Sequence, residues 1–230
     1  MSWRDYWNRE TNTIYVNALH SKLHDDLVAR GIAGLLTAPA GDVLDYGCGD
    51  ASEADLVAGK CAKLYLYDAA PNVRARLARR FTGRETIALV EDEALSSIPG
   101  ASLDLIVVNS VLQYVAPPDF EALLDRFHGK LKPAGRLVLA DIVSPDTGAV
   151  DDTKALLSFA WEGGFFVAAV VGLARTFFSD YRSLRARYGL TRYREAEMLG
   201  LLTKHAFNGK RVKPNIGHNQ ARMMFVATPA

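Results

Sequence analysis

Residues 43–50 read VLDYGCGD, an apolar run that ends in a turn containing two glycines. Similar short apolar runs, each with the length of a buried strand, recur at Leu64–Tyr67, Ile87–Val90, Leu103–Val108 and Arg136–Val143. Segments with helical character separate them, at residues 51–58, 71–81 and 118–130. Because strands alternate with helices, the pattern predicts a parallel sheet with right-handed crossovers.

The segments on either side of this pattern are different. Residues 13–36 are predicted to form a helix, since leucines repeat at four-residue steps along them. The strand–helix rhythm stops after residue 144, where residues 151–188 are predicted to form a long helical insertion. A helix at 194–205 and strands at 207–213 and 221–227 are expected to follow. We expect one domain over 1–230, with an N-terminal helical cap (1–38) and an inserted helical lid (145–193).

Composition restricts the possible functions. The chain has 230 residues, 49% of them hydrophobic, which suits one substantial core. Its net charge of +1 gives no general attraction to nucleic acid, and no nucleic-acid partner is expected. Two cysteines without a CxxC pattern favour neither a disulfide scaffold nor a zinc site. The charged start lacks the apolar run of a signal peptide, so we expect a cytoplasmic protein, possibly peripheral to the membrane.

Acidic and polar side chains follow the predicted strands. The glycines at 47 and 49 permit a tight turn and a close approach of the backbone to a ligand. Asp68 ends the second strand 21 residues after Gly47, the distance at which a carboxylate reaches a ribose hydroxyl. Residues 91–93 (Glu-Asp-Glu) end the third strand, and Asn109-Ser110 follows the fourth. The carboxyl ends of parallel strands lie at one edge, where a nucleoside-containing ligand is expected.

Four stretches in order resemble a known family. VLDYGCGD resembles motif I of class I S-adenosylmethionine (SAM)-dependent methyltransferases, and LYLYD (64–68) resembles their ribose-acid motif. LDLIVVNSVLQYV (103–115) and LKPAGRLVLADIV (131–143) resemble their fourth and fifth strands. The resemblance covers residues 40–143 and implies an enzyme that uses SAM. It also implies a Rossmann-like α/β fold: a seven-stranded mixed sheet with the last strand antiparallel, helices on both faces and a helical lid insertion.

The resemblance also implies the cofactor-binding residues, which are Asp45, Gly47, Cys48, Gly49, Asp68, Ala69, Asp92, Glu93, Asn109 and Ser110. The residues of the glycine turn would surround the methionine part, Asp68 would hold the ribose, and Asp92 would face the adenine. Glu91 is an alternative to Asp92, and Cys48 is expected to be a small packing residue. Asp45 and Asp68 could instead serve only as caps. An NAD-linked oxidoreductase is a rival, although Ser52 stands where its motif requires glycine.

The acceptor is expected at the same edge, between the N-terminal segment, the insertion and the turn at 214–220. Candidates for a general base are His218, His24 and His20, with Tyr15 and Tyr114 orienting. The pair His20 and His24 could also be a solvated face, and no third ligand suggests a metal. Aromatic residues near the start of the chain are expected to be packing anchors.

The insertion combines an uncharged apolar stretch, residues 163–174, with a basic one. Between 175 and 194 six arginines oppose one aspartate; the arginines are Arg175, Arg182, Arg185, Arg187, Arg192 and Arg194. These could be a solvated lid, a site for an anionic acceptor, or a contact with an anionic membrane surface. We therefore expect a small or lipid-linked, possibly anionic, acceptor. A SAM-binding, membrane-associated accessory protein without catalysis is the alternative.

Overall fold

The computed structural model describes residues 2–9, 15–36, 40–177, 187 and 189–230. The helices of this part are α1 (Trp3–Trp7), α2 (Ala18–Leu35), α3 (Ala54–Ala58), α4 (Pro71–Arg80), α5 (Pro117–Lys130), α6 (Ala149–Glu162), α7 (Phe166–Phe177) and α8 (Glu195–Lys204). The strands are β1 (Ala40–Tyr46), β2 (Cys61–Tyr67), β3 (Ile87–Leu89), β4 (Leu103–Asn109), β5 (Leu131–Ile142), β6 (Phe207–Val212) and β7 (Met223–Pro229). A short 3-10 helix spans Leu112–Tyr114.

The seven strands form one mixed sheet in the order β3-β2-β1-β4-β5-β7-β6. Strands β1 to β5 pair in parallel, whereas β7 is antiparallel to both β5 and β6. The predicted Rossmann-like fold is therefore confirmed. The strand order reverses between β1 and β4, and ligands of open α/β sheets bind outside the carboxyl ends at such a point.

Side chains alternate between the two faces of the sheet and build a core on each. In β1, Val43 packs with the helices α2, α3 and α4, while Leu44 packs with α5 and α8. In β4, Leu105 and Val107 face the first group, and Ile106 faces the second. All of these are fully or almost fully buried. Burial on both faces explains why the strands appear in the sequence as continuous apolar runs.

Two predicted boundaries were wrong by five residues. The N-terminal helix begins at Ala18 rather than 13, because the Asn17 side chain accepts a hydrogen bond from the His20 backbone N–H (2.8 Å) and caps it. Strand β5 begins at Leu131, five residues before its predicted start. Its pairing with β4 is irregular between Leu103 and Leu105, so residues 133–135 form a bulge inside the strand.

The insertion is two helices where one continuous helical segment was predicted. Helix α6 ends at Glu162 with Gly163 as its C-cap, and Gly164 has a φ of +75°, a conformation that glycine adopts without strain. Ala160, Phe165 and Ala169 form a small buried cluster that holds α6 and α7 together and packs on Leu23 of α2. The remainder of the predicted helix, residues 178–186 and 188, lies outside the described residues. None of the described helices has the length and apolar character needed to cross a bilayer.

Candidate active site

A cavity of about 420 Å³ lies at the carboxyl ends of β1, β2 and β4. Nine of the ten predicted cofactor-binding residues line it: Asp45, Gly47, Cys48, Gly49, Asp68, Ala69, Glu93, Asn109 and Ser110. Asp92 is the exception. Its carboxylate is exposed and accepts hydrogen bonds from the backbone N–H and hydroxyl of Ser96 (both 3.1 Å), and the backbone bond lowers its pKa. The structure therefore places Glu93, not Asp92, on the cavity wall.

The glycine turn is shaped by its neighbours. Gly47 has a φ of +80°, and a Cβ there would lie 2.2 Å from a methyl carbon of Val111, so no larger residue fits. Gly49 has a φ of +57° with open space where its side chain would be. Ala51 adopts a φ of 43°, an uncommon conformation for alanine. The turn thus presents bare backbone to the cavity, which is what close approach of a ligand requires.

Asp68 connects the glycine turn to helix α4. One carboxylate oxygen accepts a hydrogen bond from the Gly49 N–H (3.1 Å) and the other from the Ala70 N–H (2.8 Å). Burial raises the pKa of Asp68, and these two bonds partly offset the effect. Asp68 does not cap α4, whose N-cap residue is Ala70 and has no side-chain cap bond; it instead accepts from the Ala70 N–H two positions along the chain. These contacts leave room for a ligand, because an ionised carboxylate has about four acceptor sites and only two are used here.

The cavity carries an excess of negative charge. Seven acidic side chains line it, Asp25, Asp45, Asp50, Glu53, Asp68, Glu93 and Asp119, against two arginines, Arg4 and Arg76. Arg76 is already paired with Asp50 (2.7 Å). Burial, and secondarily the nearby Asp68, raise the pKa of Asp45 to about 7. A cationic ligand would relieve this repulsion, whereas an anionic one would increase it.

Asn109 and Ser110 stand at the end of β4. The side-chain oxygen of Asn109 is buried and has no hydrogen-bond partner among the described residues, although it lies on the cavity wall. A buried acceptor of this kind requires a donor, which a ligand in the cavity can provide. The Ser110 hydroxyl donates to Asp141 of β5 (2.8 Å), and both residues have a φ of 59°. Asp141 was not singled out from the sequence, since an aspartate within an apolar run gives no sign of such a contact.

Helix α1 covers the cavity. Trp3 and Trp7 line it and pack on the ring of Tyr114, with centroids 4.7 and 5.4 Å away. Asn8 fixes the helix to α4 through two bonds with Asn72: the Asn72 backbone N–H donates to the Asn8 side chain (2.7 Å), and the Asn72 side chain donates to the Asn8 carbonyl (2.8 Å). The tryptophans predicted as packing anchors are thus also part of the cavity wall.

The three candidate histidines lie together. Their ring centroids are 5.9 to 6.4 Å apart, and His20 and His218 stack on Phe165 and Phe159. Only 4% of His20 is exposed, so the interpretation of the histidine pair as a solvated face is wrong. Burial, followed by the neighbouring histidines, lowers the pKa of each of the three to about 4. All three are therefore neutral near pH 7.

The histidines differ in their relation to the cavity. His24 and Tyr15 line it, whereas His20 and His218 stand behind His24. The Nδ1 atom of His20 accepts a bond from the Val16 N–H (3.3 Å), while Nδ1 of His24 and Nδ1 of His218 are buried with no partner in the described part of the chain. Within the described part of the chain, no group of three His, Cys, Asp or Glu side chains is arranged to hold a metal ion.

The turn between β6 and β7 is tied to α6 by contacts that the sequence did not indicate. Arg222 and the Asn219 side chain both donate to the Asp152 carboxylate, at 2.8 and 3.0 Å. Gln220 bonds within the turn, to Asn215 and Gly217. Asn219 thus ties the turn to the insertion, Gln220 stabilises the turn itself, and neither lines the cavity. The ion pair between residues 152 and 222 joins segments that are 70 positions apart, which no local pattern reveals.

A family model described as a methyltransferase domain matches residues 19–206, most of the chain. The chain belongs to this methyltransferase family. The prediction made from the four motifs, a SAM-dependent methyltransferase with SAM as cofactor, is therefore confirmed at the level of the family.

The individual proteins that resemble this methyltransferase share low sequence identity with it. The carboxy-S-adenosyl-L-methionine synthase of Photorhabdus laumondii subsp. laumondii is 29% identical over 119 residues, which are 48% of this chain and 46% of that protein. The chain thus spans about half the length of that relative. The structure of the DhpI–SAH complex superposes with a TM-score of 0.62 at 13% identity, covering 99% of this chain and 95% of the other. Mitomycin 7-O-methyltransferase MmcR gives a TM-score of 0.63 at 17% identity, covering 100% and 61%.

The residues of the methyltransferase cavity fit SAM better than they fit NAD. SAM carries a positive sulfonium, which the acidic lining of the cavity attracts. The pyrophosphate of NAD would meet the same acids without an unpaired cation in the glycine turn to receive it. Asp68 has free acceptor sites for a ribose, and Asn109 has a free acceptor for a donor group. The assignment of each residue to a part of the cofactor remains a prediction.

Proposed function

We propose that this methyltransferase transfers the SAM methyl group to a hydroxyl of a small, uncharged, ring-containing acceptor, with His24 as the general base. The observation that carries the proposal is the position of His24. It lies on the cavity wall, it is neutral, and its buried Nδ1 has no partner among the described residues. A buried acceptor nitrogen without a donor can receive a proton from a bound ligand.

The surroundings of His24 support an uncharged acceptor. Tyr15 packs edge-on against His20 and tilted against His24, with centroids 5.4 and 5.7 Å away, and the aromatic α1 lies over the same cavity. Neutral histidines provide no positive charge for a carboxylate or phosphate. Arg222, behind His218, is already paired with Asp152. A charged acceptor would therefore be buried at this wall without a counter-ion, which is costly.

The arginines of the insertion could have argued for an anionic acceptor. Of these, Arg182 and Arg185 lie outside the described residues, and Arg175 is exposed near the end of α7. Among the described residues none of the insertion's arginines lines the cavity. An anionic acceptor is for this reason not part of the proposal.

SAM when bound would supply a methyl group activated on a positively charged sulfur. Bound SAM would supply its methyl carbon to the acceptor oxygen, and the bonding pair of the carbon–sulfur bond would remain on sulfur. The hydroxyl proton moves to the free nitrogen of His24. Helix α1 and its tryptophans exclude water, and the acidic wall holds the cationic donor in place. Alignment and water exclusion account for much of such a rate enhancement.

The acceptor class can be tested with matched pairs of compounds. Transfer from methyl-tritiated SAM would be measured for 4-methylcatechol and for 3,4-dihydroxybenzoate, which replaces the methyl group by a carboxylate. We expect kcat/KM to be at least about tenfold higher for the uncharged compound, since the carboxylate loses its solvation without finding a counter-ion. Further phenols with and without an added phosphate extend the comparison. Equal or faster transfer to the charged partners, or transfer to no phenol by protein that binds SAM, would contradict the proposal.

The base can be tested with His24→Gln. Proton transfer to a positioned base contributes about 10²- to 10⁴-fold, so kcat should fall by at least about 100-fold while SAM affinity is retained. The residual rate should rise with pH as the acceptor ionises by itself. His128→Gln is the matched control, because His128 also has a buried ring nitrogen with no partner among the described residues but packs on Phe207 on the other face of the sheet. A similar loss of kcat in both variants would assign His24 a structural role only.

A further inference from the structure

The outer face of helix α7 is apolar and exposed. Phe166, Val167, Val170 and Val171 are 37%, 76%, 48% and 45% exposed, and their spacing of three and four residues places them on one side of the helix. Trp161, at the end of α6, is 74% exposed and packs edge-on against Phe166 with centroids 5.6 Å apart. We call this set of five side chains the α7 patch.

The α7 patch is continuous and supported by a rigid base. Leu19, which is 42% exposed at the start of α2, lines a shallow groove with Trp161, Phe166 and Val167. The opposite side of α7 is fixed by Ala169 and Gly172. Ala169 is fully buried, and a Cβ on Gly172 would lie 2.2 Å from Val16. The apolar face is therefore turned outward by tight packing behind it. Clustered exposed apolar groups on a monomer mark an interaction site more often than scattered ones do.

The sequence that follows the α7 patch is strongly basic. Residues 175–194, which directly follow it in the sequence, contain six arginines and one aspartate. The whole chain has 27 basic and 26 acidic residues, so the remainder has 21 and 25 and is net negative. Residues 71–84 hold five further arginines and no acid, but Arg76 and Arg84 are paired with Asp50 and Asp55. Along the sequence, a net charge of +5 thus directly follows the apolar face. Anionic lipid would attract this stretch and repel the rest, which would orient the protein.

We propose that the α7 patch binds the surface of an anionic lipid bilayer, with Trp161 and the valines of α7 in the interfacial layer. An amphipathic helix with apolar side chains on one side and arginines beside it lies in the plane of such a surface. Tryptophan is favoured at the level of the lipid headgroups, where its ring is partly apolar and its N–H reaches water. No charged residue interrupts 163–174, so the face can enter the interface without burying an ion. This inference is independent of the identity of the acceptor.

The experiment is flotation of the full chain with vesicles of phosphatidylcholine, with and without phosphatidylserine, at low and high salt. Binding is expected only to vesicles that contain phosphatidylserine. At high salt the affinity should fall by about fivefold for each arginine whose attraction to the lipid is screened. Trp161 fluorescence should shift to the blue in wild-type protein, and the shift should be absent in Trp161→Phe. The paired substitution Val167→Ser and Val170→Ser should reduce binding by at least about tenfold.

Val150→Ser is the matched control. Val150 is 65% exposed and has the same chemistry, but it lies at the first turn of α6, at the other end of that helix from Trp161. The Val150→Ser variant should bind vesicles as the wild type does. Three results would overturn the proposal: no binding of folded protein to phosphatidylserine vesicles, equal loss in the Val150 control, or a dimer in sedimentation that dissociates in the Val167/Val170 variant and does not bind lipid. The last result would assign the patch to a second copy of the chain.

Discussion

The affinity of the cavity for SAM should depend on pH through Asp45. Burial and the neighbouring Asp68 raise the pKa of Asp45 to about 7. A bound cation favours the ionised form, so SAM must displace a proton from Asp45 at low pH. A site with this pKa is about three-quarters ionised at pH 7.5 and about 3% ionised at pH 5.5, which predicts a roughly 25-fold loss of affinity between them.

The assay is calorimetric titration of SAM at pH 5.5, 6.5 and 7.5 and constant ionic strength. Asp45→Asn should bind at least about 25-fold more weakly than wild type at pH 7.5, because it resembles the protonated wild type, and its affinity should change little with pH. Asp92→Asn is the control, because Asp92 is exposed and does not line the cavity. Loss of the fold does not explain a weaker affinity at pH 5.5: the folded pKa of Asp45 is above the unfolded one, so its contribution to stability is largest at low pH and is lost as pH rises through 7. A flat wild-type profile, or an unchanged slope in Asp45→Asn, would refute the reasoning.

Three further predictions concern other parts of the molecule. Asp68→Ala should weaken SAM binding by about 1–3 kcal/mol, since charge-assisted bonds are lost; unchanged calorimetric affinity in folded protein would remove the ribose assignment. His205 is held by Asp125 (2.6 Å) and Glu121 (3.2 Å), whose bonds outweigh burial and raise its pKa. The advantage in Tm of wild type over His205→Gln should therefore be full below pH 6.5 and decline as pH rises above it, and a constant difference up to pH 9 would contradict this. Gly172→Ala should destabilise the fold by about 1–3 kcal/mol in urea unfolding, because its Cβ would lie 2.2 Å from Val16; Val16→Ala should restore part of the loss, and no restoration would argue against this contact.

The sheet could be predicted because its strands and helices are each set by patterns of neighbouring residues in the sequence. Each buried strand is a short apolar run, and the helices between strands force a parallel arrangement. The turn at Gly47 and Gly49 and the acid at Asp68 follow from the same periodicity, since both occur where a strand ends. Once the strands were located, nine of the ten predicted cofactor-binding residues came together at one cavity.

The acceptor side was less predictable because long-range packing decides it. The leucine stripe suggested that His20 lay on an exposed face, yet Leu19 is exposed and His20 is buried under Phe165. The helical period places both on known sides of α2, but only the position of α6 and α7 determines which side is covered. The same holds for Trp7, whose role in the cavity depends on where α1 docks. Asp92 lies outside the cavity that Glu93 lines, and the two could not be told apart because spacing does not distinguish adjacent acids.

The hydrogen bonds between Asn8 and Asn72 hold helix α1 over the methyltransferase cavity through uncharged side chains. Besides the packing of Trp3, Tyr6 and Trp7, α1 is held by these two exposed hydrogen bonds, each of which contributes about 1 kcal/mol and neither of which depends on pH. The nearby ion pair of Arg4 and Glu93, with its atoms 4.0 Å apart and exposed, adds little. Acidification and salt would therefore change how firmly the cofactor is held while leaving the opening rate of its cover unchanged. At acidic pH, product would leave at a nearly unchanged rate, whereas SAM would bind weakly. Turnover would therefore fall because the cofactor site is unoccupied, and not because product is retained.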